Sequence, residues 1–239
     1  MEEIKETKPE QKSSYFVPVA IVIAGLLIAG AVFLSPNSDG KPKTNTGTDT
    51  GTTSDEEQGP QDVSISVDLN GWSSLGNQDS SVVMVEYADY ACSFCARFKE
   101  ETFPLIKKDY IDTGKVRFVY KDFAVVGGEK AAEATHCAAE QNKFWEYHDI
   151  LFAKQSEDRA SWQDPQTYKK YANQLSLDAD AFVSCFDNNK YQLKVQTSTA
   201  EAIQNGGQGT PYFLINDTPI SGAQPYSVFQ TAIDAQLAQ

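Results

Sequence analysis

Residues 82–120 read VVMVEYADYACSFCARFKEETFPLIKKDYIDTGKVRFVY, and their pattern decides the fold. The opening run Val82–Tyr87 (VVMVEY) is short and apolar, which predicts a strand, and Val116–Tyr120 (VRFVY) predicts a second one. Between them Phe94, Phe98, Leu105 and Ile106 recur at helical spacing, with Pro104 predicting a kink. Strand, helix and strand in that order make a βαβ unit, which implies parallel pairing through a right-handed crossover.

Downstream, residues 128 to about 205 read as wholly helical. The segments are Ala131 to Glu140, Phe144 to Phe152, Pro165 to Leu175, Asp178 to Phe186 and Lys190 to Asn205, and Gly206 with Gly207 stops the last. Tyr212–Ile215 and Pro219-Ile220 then flank Asn216-Asp217-Thr218, which predicts a hairpin, and Pro225 opens a closing amphipathic helix bearing Val228, Ile233 and Leu237. The body, residues 62–239, is therefore an α/β domain of order βαβ, helical insertion (about 128–205), ββα.

Upstream the chain changes character. Residues 1–16 are polar and mixed in charge, and read as a short tail on the cytoplasmic side. Residues 17–34, VPVAIVIAGLLIAGAVFL, carry no charge, and as a helix they span about 27 Å of hydrocarbon, enough for a transmembrane anchor. A cleaved signal is the competing reading, supported by Ala29-Gly30-Ala31 and opposed by a leader that mixes four glutamates with three lysines. Residues 35–61 are nearly devoid of apolar side chains and read as a flexible linker. A weak positive-inside bias places the body outside the cytoplasm.

Composition narrows the function. The chain of 239 residues is 41% hydrophobic and 11% aromatic, so a packed core is within reach. A nucleic-acid binder needs a basic face to neutralise phosphates, and a net charge of -13 argues against nucleic acid as a partner. Only two histidines, His136 and His148, are present, and both fall on an aromatic helical face that predicts packing roles. Four cysteines are too few to staple a miniprotein, but enough for one reactive pair and one structural pair.

Cys92-Ser93-Phe94-Cys95 follows the first strand directly and opens the helix. At that place the unpaired amides and the positive end of the helix dipole favour the first thiolate, and the second sulfur, one turn on, can resolve a mixed disulfide. A two-thiol redox switch is the reading that fits. Half of a zinc site, or two inert core cysteines, are the alternatives, and a zinc site lacks a second close ligand pair because Cys137 and Cys185 lie far apart.

At this point the chain resembles the exported DsbA-like branch of the thioredoxin superfamily. The marks that carry the resemblance are VEYADYACSFC at 85–95, FWEYHDILF at 144–152, Gly209-Thr210-Pro211 before a strand, and GAQPYSVF at 222–229. It implies a thioredoxin fold interrupted by a helical domain, with Cys92 as the attacking, solvent-facing thiol and Cys95 as the buried resolving one. It implies that Thr210-Pro211 is a cis-proline loop which, with Ser93 and Phe94, meets the substrate, and that Glu86 is a buried acid serving Cys95. A solvated strand glutamate is the alternative for Glu86. Lys121 would pair with Glu86 or stand on the surface.

By the same resemblance Cys137 and Cys185 form a structural disulfide closing a loop of 48 residues, worth about 4 kcal/mol in the chain-entropy model. Ser93-Phe94 stands where the best-known member has proline and histidine, so a weaker oxidant is expected and the redox direction stays open. The implied activity is protein thiol-disulfide exchange without a bound cofactor or metal. The implied partners are exported polypeptides with free thiols and a membrane reoxidase of the DsbB or vitamin K epoxide reductase type. A reductase or isomerase of the same fold, or a thiol-based metal-binding module, are the rival readings.

Overall fold

The computed structural model describes residues 66–155 and 164–239. The tail, anchor and linker read at 1–16, 17–34 and 35–61 lie outside the described residues, and among those described no helix is long and apolar enough to cross a membrane.

Five strands form one mixed sheet in the order β1-β3-β2-β4-β5: β1 (Ser74–Leu75), β2 (Val82–Ala88), β3 (Val116–Asp122), β4 (Tyr212–Ile215) and β5 (Thr218–Ser221). The βαβ unit pairs β2 with β3 in parallel, in a register that sets Glu86 opposite Tyr120 and Tyr87 opposite Lys121. β4 runs antiparallel to β2, and β5 returns antiparallel to β4 through a turn at Asn216, whose φ of 51° suits asparagine. Two-residue β1, antiparallel to β3, leaves no sequence signature and was not expected.

β2 and β3 are buried along nearly their whole length because both faces of the sheet are covered. One face carries Val82, Met84, Phe118, Phe213 and Ile215 into the main core, with Phe98, Phe103, Phe229 and the helical insertion. The other carries Val85, Tyr87, Val119, Tyr212 and Leu214 against Ala202 and the segment containing Val67, Leu69 and Trp72.

After β2, helix α1 (Ser93–Arg97) widens into a π-type turn over Phe98–Thr102. It resumes as α2 (Phe103–Ile106) and ends in a second such turn over Lys107–Ile111. Pro104 stands at the start of α2, so the expected kink takes the form of a looser turn just before it, where a missing amide hydrogen is tolerated.

The insertion holds α3 (Glu129–Ala139), α4 (Phe144–Gln155), α5 (Pro165–Gln174), α6 (Ala179–Asp187) and α7 (Gln192–Gln204), within a few residues of the expected segments. Asp164 and Asp178 cap α5 and α6 by accepting from the amides of Gln166 and Ala181. Cys137 on α3 and Cys185 on α6 are joined by a disulfide with their Cα atoms 5.8 Å apart. Pro225 precedes α8 (Tyr226–Leu237), which packs on β2 and β4.

Candidate active site

The loop from β2 into α1 is built around Asp89, which is buried. Its Oδ1 accepts from the Ala91 amide at 2.7 Å, while Oδ2 accepts from the amides of Val125 and Val126 at 2.8 and 2.7 Å. One carboxylate thus fastens the start of the redox loop to the loop after β3. A Cβ on Gly128 would stand 2.0 Å from Asp89 Oδ1, so only glycine admits this approach.

Cys92 then occupies the N-cap of α1, with φ -82° and ψ 119° and no side-chain cap, and Cys95 follows one turn on. Both thiols are free, so the described state is the dithiol. Cys92 keeps 7% of its surface and Cys95 none. Cys92 is therefore the outer sulfur, though less solvent-facing than expected, because the Thr210 carbonyl lies over it and accepts from its Sγ at 3.3 Å. The Thr210–Pro211 bond is cis.

The two sulfurs are pushed apart electrostatically. A hydrogen bond from the Cys95 thiol, a further one from Thr210, and the amides of Cys95 and Phe94 hold Cys92 down to about 5 against the cost of its burial. Burial first, then the same inter-thiol bond and the proximity of Glu86, push Cys95 well above the ordinary thiol range. Glu86 is buried at 4% exposure on the face of β2 that meets the main core, which overturns the solvated alternative. Burial raises its carboxyl to about 8, with Lys99 opposing and Cys92 adding to the shift, so it is neutral at pH 7.

Lys121 neither pairs with Glu86 nor stands on the surface. The one-residue offset in register, Glu86 opposite Tyr120, sends Lys121 to the other face of the sheet. There, 1% exposed, its Nζ meets Glu201 at 2.6 Å and donates to the Asp68 carbonyl at 2.6 Å.

Two cavities flank the pair. One, of about 700 Å³, opens between α1, the cis-proline loop and the segment 222–225, with Phe94 and Thr210 in its wall. The other, of about 520 Å³, lies between α1 and α4 and includes Ser93, Phe152 and Gln155. The structure thus brings Cys92, Cys95, Ser93, Phe94, Thr210 and Pro211 together, with Glu86 beneath, and leaves Cys137 and Cys185 apart in the insertion.

Three groups escaped the sequence reading. Asp89 carried one usable signal, an acid three residues before the cysteine at a strand-to-helix turn. Gln155, at the end of α4, donates from Nε2 to the Tyr90 carbonyl and to the Cys92 carbonyl, the latter at 3.1 Å, and nothing in its local sequence announces this. Arg97 stacks over Phe94 at 4.9 Å and donates to the Ala223 carbonyl at 3.1 Å. The histidines pack but are also bonded: His136 Nε2 meets Asp122 at 2.7 Å, and His148 Nδ1 meets the Tyr90 hydroxyl at 3.1 Å.

A family model described as Thioredoxin matches residues 70–235. Disulfide bond formation protein D of Bacillus subtilis is 28% identical over 188 residues, covering 76% of this chain and 84% of its own. A Na(+)/H(+) antiporter NhaA 3 of Salinispora tropica is 30% identical over 175 residues, 72% of this chain but only 25% of that protein. Among solved structures, oxidised BdbD from Bacillus subtilis superimposes with a TM-score of 0.67 at 26% identity, over 72% of this chain and 96% of that one.

Proposed function

The chain belongs to the thioredoxin family and is a thiol-disulfide oxidoreductase of the DsbA type, and on that premise we propose that it introduces disulfides into exported polypeptides through Cys92 and Cys95. The observation that carries this reading is the arrangement of the two sulfurs: one at a helix N-cap under the Thr210 carbonyl, the other fully buried one turn on.

In the oxidised enzyme a substrate thiolate attacks Cys92 Sγ, the Cys92–Cys95 bond breaks, and Cys95 leaves as a thiolate. Glu86, neutral at pH 7, is the buried acid able to protonate it, and the transfer runs downhill because the Cys95 thiol is the weaker acid. A second substrate thiolate attacks the substrate sulfur of the mixed disulfide. Cys92 departs readily because its thiolate is stabilised. Two substrate thiols become one disulfide, and the enzyme is left as the dithiol.

Turnover then requires a partner disulfide that accepts two electrons, which we assign to a membrane reoxidase of the DsbB or vitamin K epoxide reductase type. Residues 17–34 would hold the enzyme at that membrane with its body outside the cytoplasm. The disulfide bond formation protein among its relatives favours oxidation over the reductase or isomerase direction.

Equilibrating the Cys92–Cys95 couple with glutathione tests the direction. An oxidase requires a potential well above the roughly -270 mV of thioredoxin, and a value at that level assigns the chain to reduction instead. Loss of oxidation of a reduced, unfolded substrate in Cys92→Ser identifies the sulfur that substrates meet.

A further inference from the structure

The cavity between α1, the cis-proline loop and residues 222–225 has a charge pattern that the redox chemistry does not use. Arg97 and Glu101, four residues apart, contribute its two charged side chains. The guanidinium is engaged twice, donating to the Ala223 carbonyl and lying over the Phe94 ring. The Gln224 carbonyl is also engaged, accepting from Thr102 Oγ1 at 3.3 Å. Lys99, the nearest other cation along the helix, turns to the second cavity and pairs with Asp149 at 2.8 Å. Glu101 is exposed and has no ion pair or hydrogen bond among the described residues. Arg97 keeps its positive charge but is held in place at Phe94 and Ala223, so Glu101 is the charged side chain of this groove that no contact holds.

We infer that Glu101 makes this groove selective for polypeptide segments that carry a cationic side chain beside the reacting cysteine. The inference rests on the reading that substrate thiols reach Cys92 along this groove, and names the substrate class within it. An extended segment seated against Thr210 brings the residues flanking its cysteine along the α1 wall, where a lysine or arginine finds the free carboxylate. An acidic neighbour meets a like charge at Glu101, while the Arg97 charge stays fixed against Phe94 and Ala223. An exposed pair of this kind changes rates by about two- to fivefold and is screened by salt.

The test uses the full chain, oxidised at Cys92–Cys95, and a set of single-cysteine peptides with lysine, glutamine or glutamate beside the cysteine. The readout is the second-order rate of mixed-disulfide formation at low ionic strength. A lysine neighbour also acidifies the peptide's own thiol, so the quantity compared is each variant's lysine-to-glutamate rate ratio relative to that of the parent enzyme.

Glu101→Gln should cut this ratio by about two- to fivefold, and Glu101→Lys should lower it further. Asp180→Asn, which removes an exposed acid on α6 outside this groove and changes the net charge by the same amount as Glu101→Gln, should leave it unchanged. A ratio that Glu101→Gln does not move, or that Asp180→Asn moves equally, overturns the inference while leaving the exchange activity in place. Failure of every peptide to react overturns the oxidoreductase reading at this groove, and the inference with it.

Discussion

Replacing Glu86 by glutamine should stabilise the reduced protein, and by an amount that grows with pH. The carboxyl is buried and titrates at about 8, against a reference of 4.5. Below 4.5 it is protonated in both folded and unfolded chains and contributes no penalty. Between 4.5 and 8 the unfolded chain ionises while the folded chain keeps its proton, so stability falls by about 1.4 kcal/mol per pH unit. At pH 7 the accumulated cost is about 3 kcal/mol, and above 8 it levels off near 5 kcal/mol. The sign is that of a raised pKa: the favourable contribution is complete below the unfolded value and is lost as pH rises through the folded one. Glutamine has similar shape and no titration. Urea unfolding of both proteins in reductant, from pH 4 to 9, should therefore give curves that diverge over this window. Oxidation removes the Cys92 charge that helps hold Glu86 protonated, so the divergence should end at lower pH in the disulfide form. Parallel curves, or a glutamine variant destabilised equally at every pH, would refute the placement of a neutral acid beneath the pair.

The depressed Cys92 pKa has the opposite sign: its stabilisation of the reduced fold is complete above the ordinary thiol value and is lost as pH falls through about 5, so thiolate absorbance should titrate with that midpoint. In the redox couple, uptake of one proton rather than two should flatten the slope of potential against pH to about 30 mV per unit above that midpoint. Gln155→Ala removes both amide bonds to the redox loop, and should cost about 1–3 kcal/mol and raise the Cys92 midpoint. An unmoved midpoint would reduce Gln155 to a purely structural tie. Removing Cys137 and Cys185 together should lower unfolding free energy by about 4 kcal/mol, read by denaturant titration, for a loop of 48 residues, without shifting the Cys92 titration. Lys121→Met should cost about 1–3 kcal/mol by removing the bonds to Glu201 and the Asp68 carbonyl, yet leave the Cys92–Cys95 potential unchanged.

The parts of this molecule that were legible in its sequence are those written in local pattern. The strands at 82–87 and 116–120, the helical block, and the hairpin turn at Asn216 all follow from periodicity and turn chemistry, and the structure moves their boundaries by at most three residues. The chemistry of Cys92 was legible for the same reason, since a helix start is a local feature. What escaped was set by distant contacts. Gln155 reaches the redox loop across 63 residues of sequence, and Arg97 reaches Ala223 across 126. β1 exists because β3 offers it an edge rather than because Ser74-Leu75 prefers extension. Lys121 was misplaced for a sharper reason: its position along the strand was right, but which face it takes depends on the register between β2 and β3, and one residue of offset reverses the answer.

That reversal bears on how the site works. Had Lys121 lain against Glu86, an opposite charge would have held the carboxyl ionised, and the buried proton that the proposed exchange delivers to Cys95 would have been absent. The sheet instead separates two kinds of charge. On one face Lys121, Glu201, Tyr87 and Asn205 satisfy one another and tie down the segment entering the domain, through the Asp68 and Ser66 carbonyls. On the other, Glu86 is left with only the partial influence of Lys99, and so stays neutral. The same burial that keeps it protonated raises Cys95, while the helix terminus and Thr210 lower Cys92. In the proposed exchange this gap gives the disulfide its direction: attack falls on the outer sulfur, Cys92, whose thiolate is the better leaving group in the second step, and Glu86 holds a proton beneath the other.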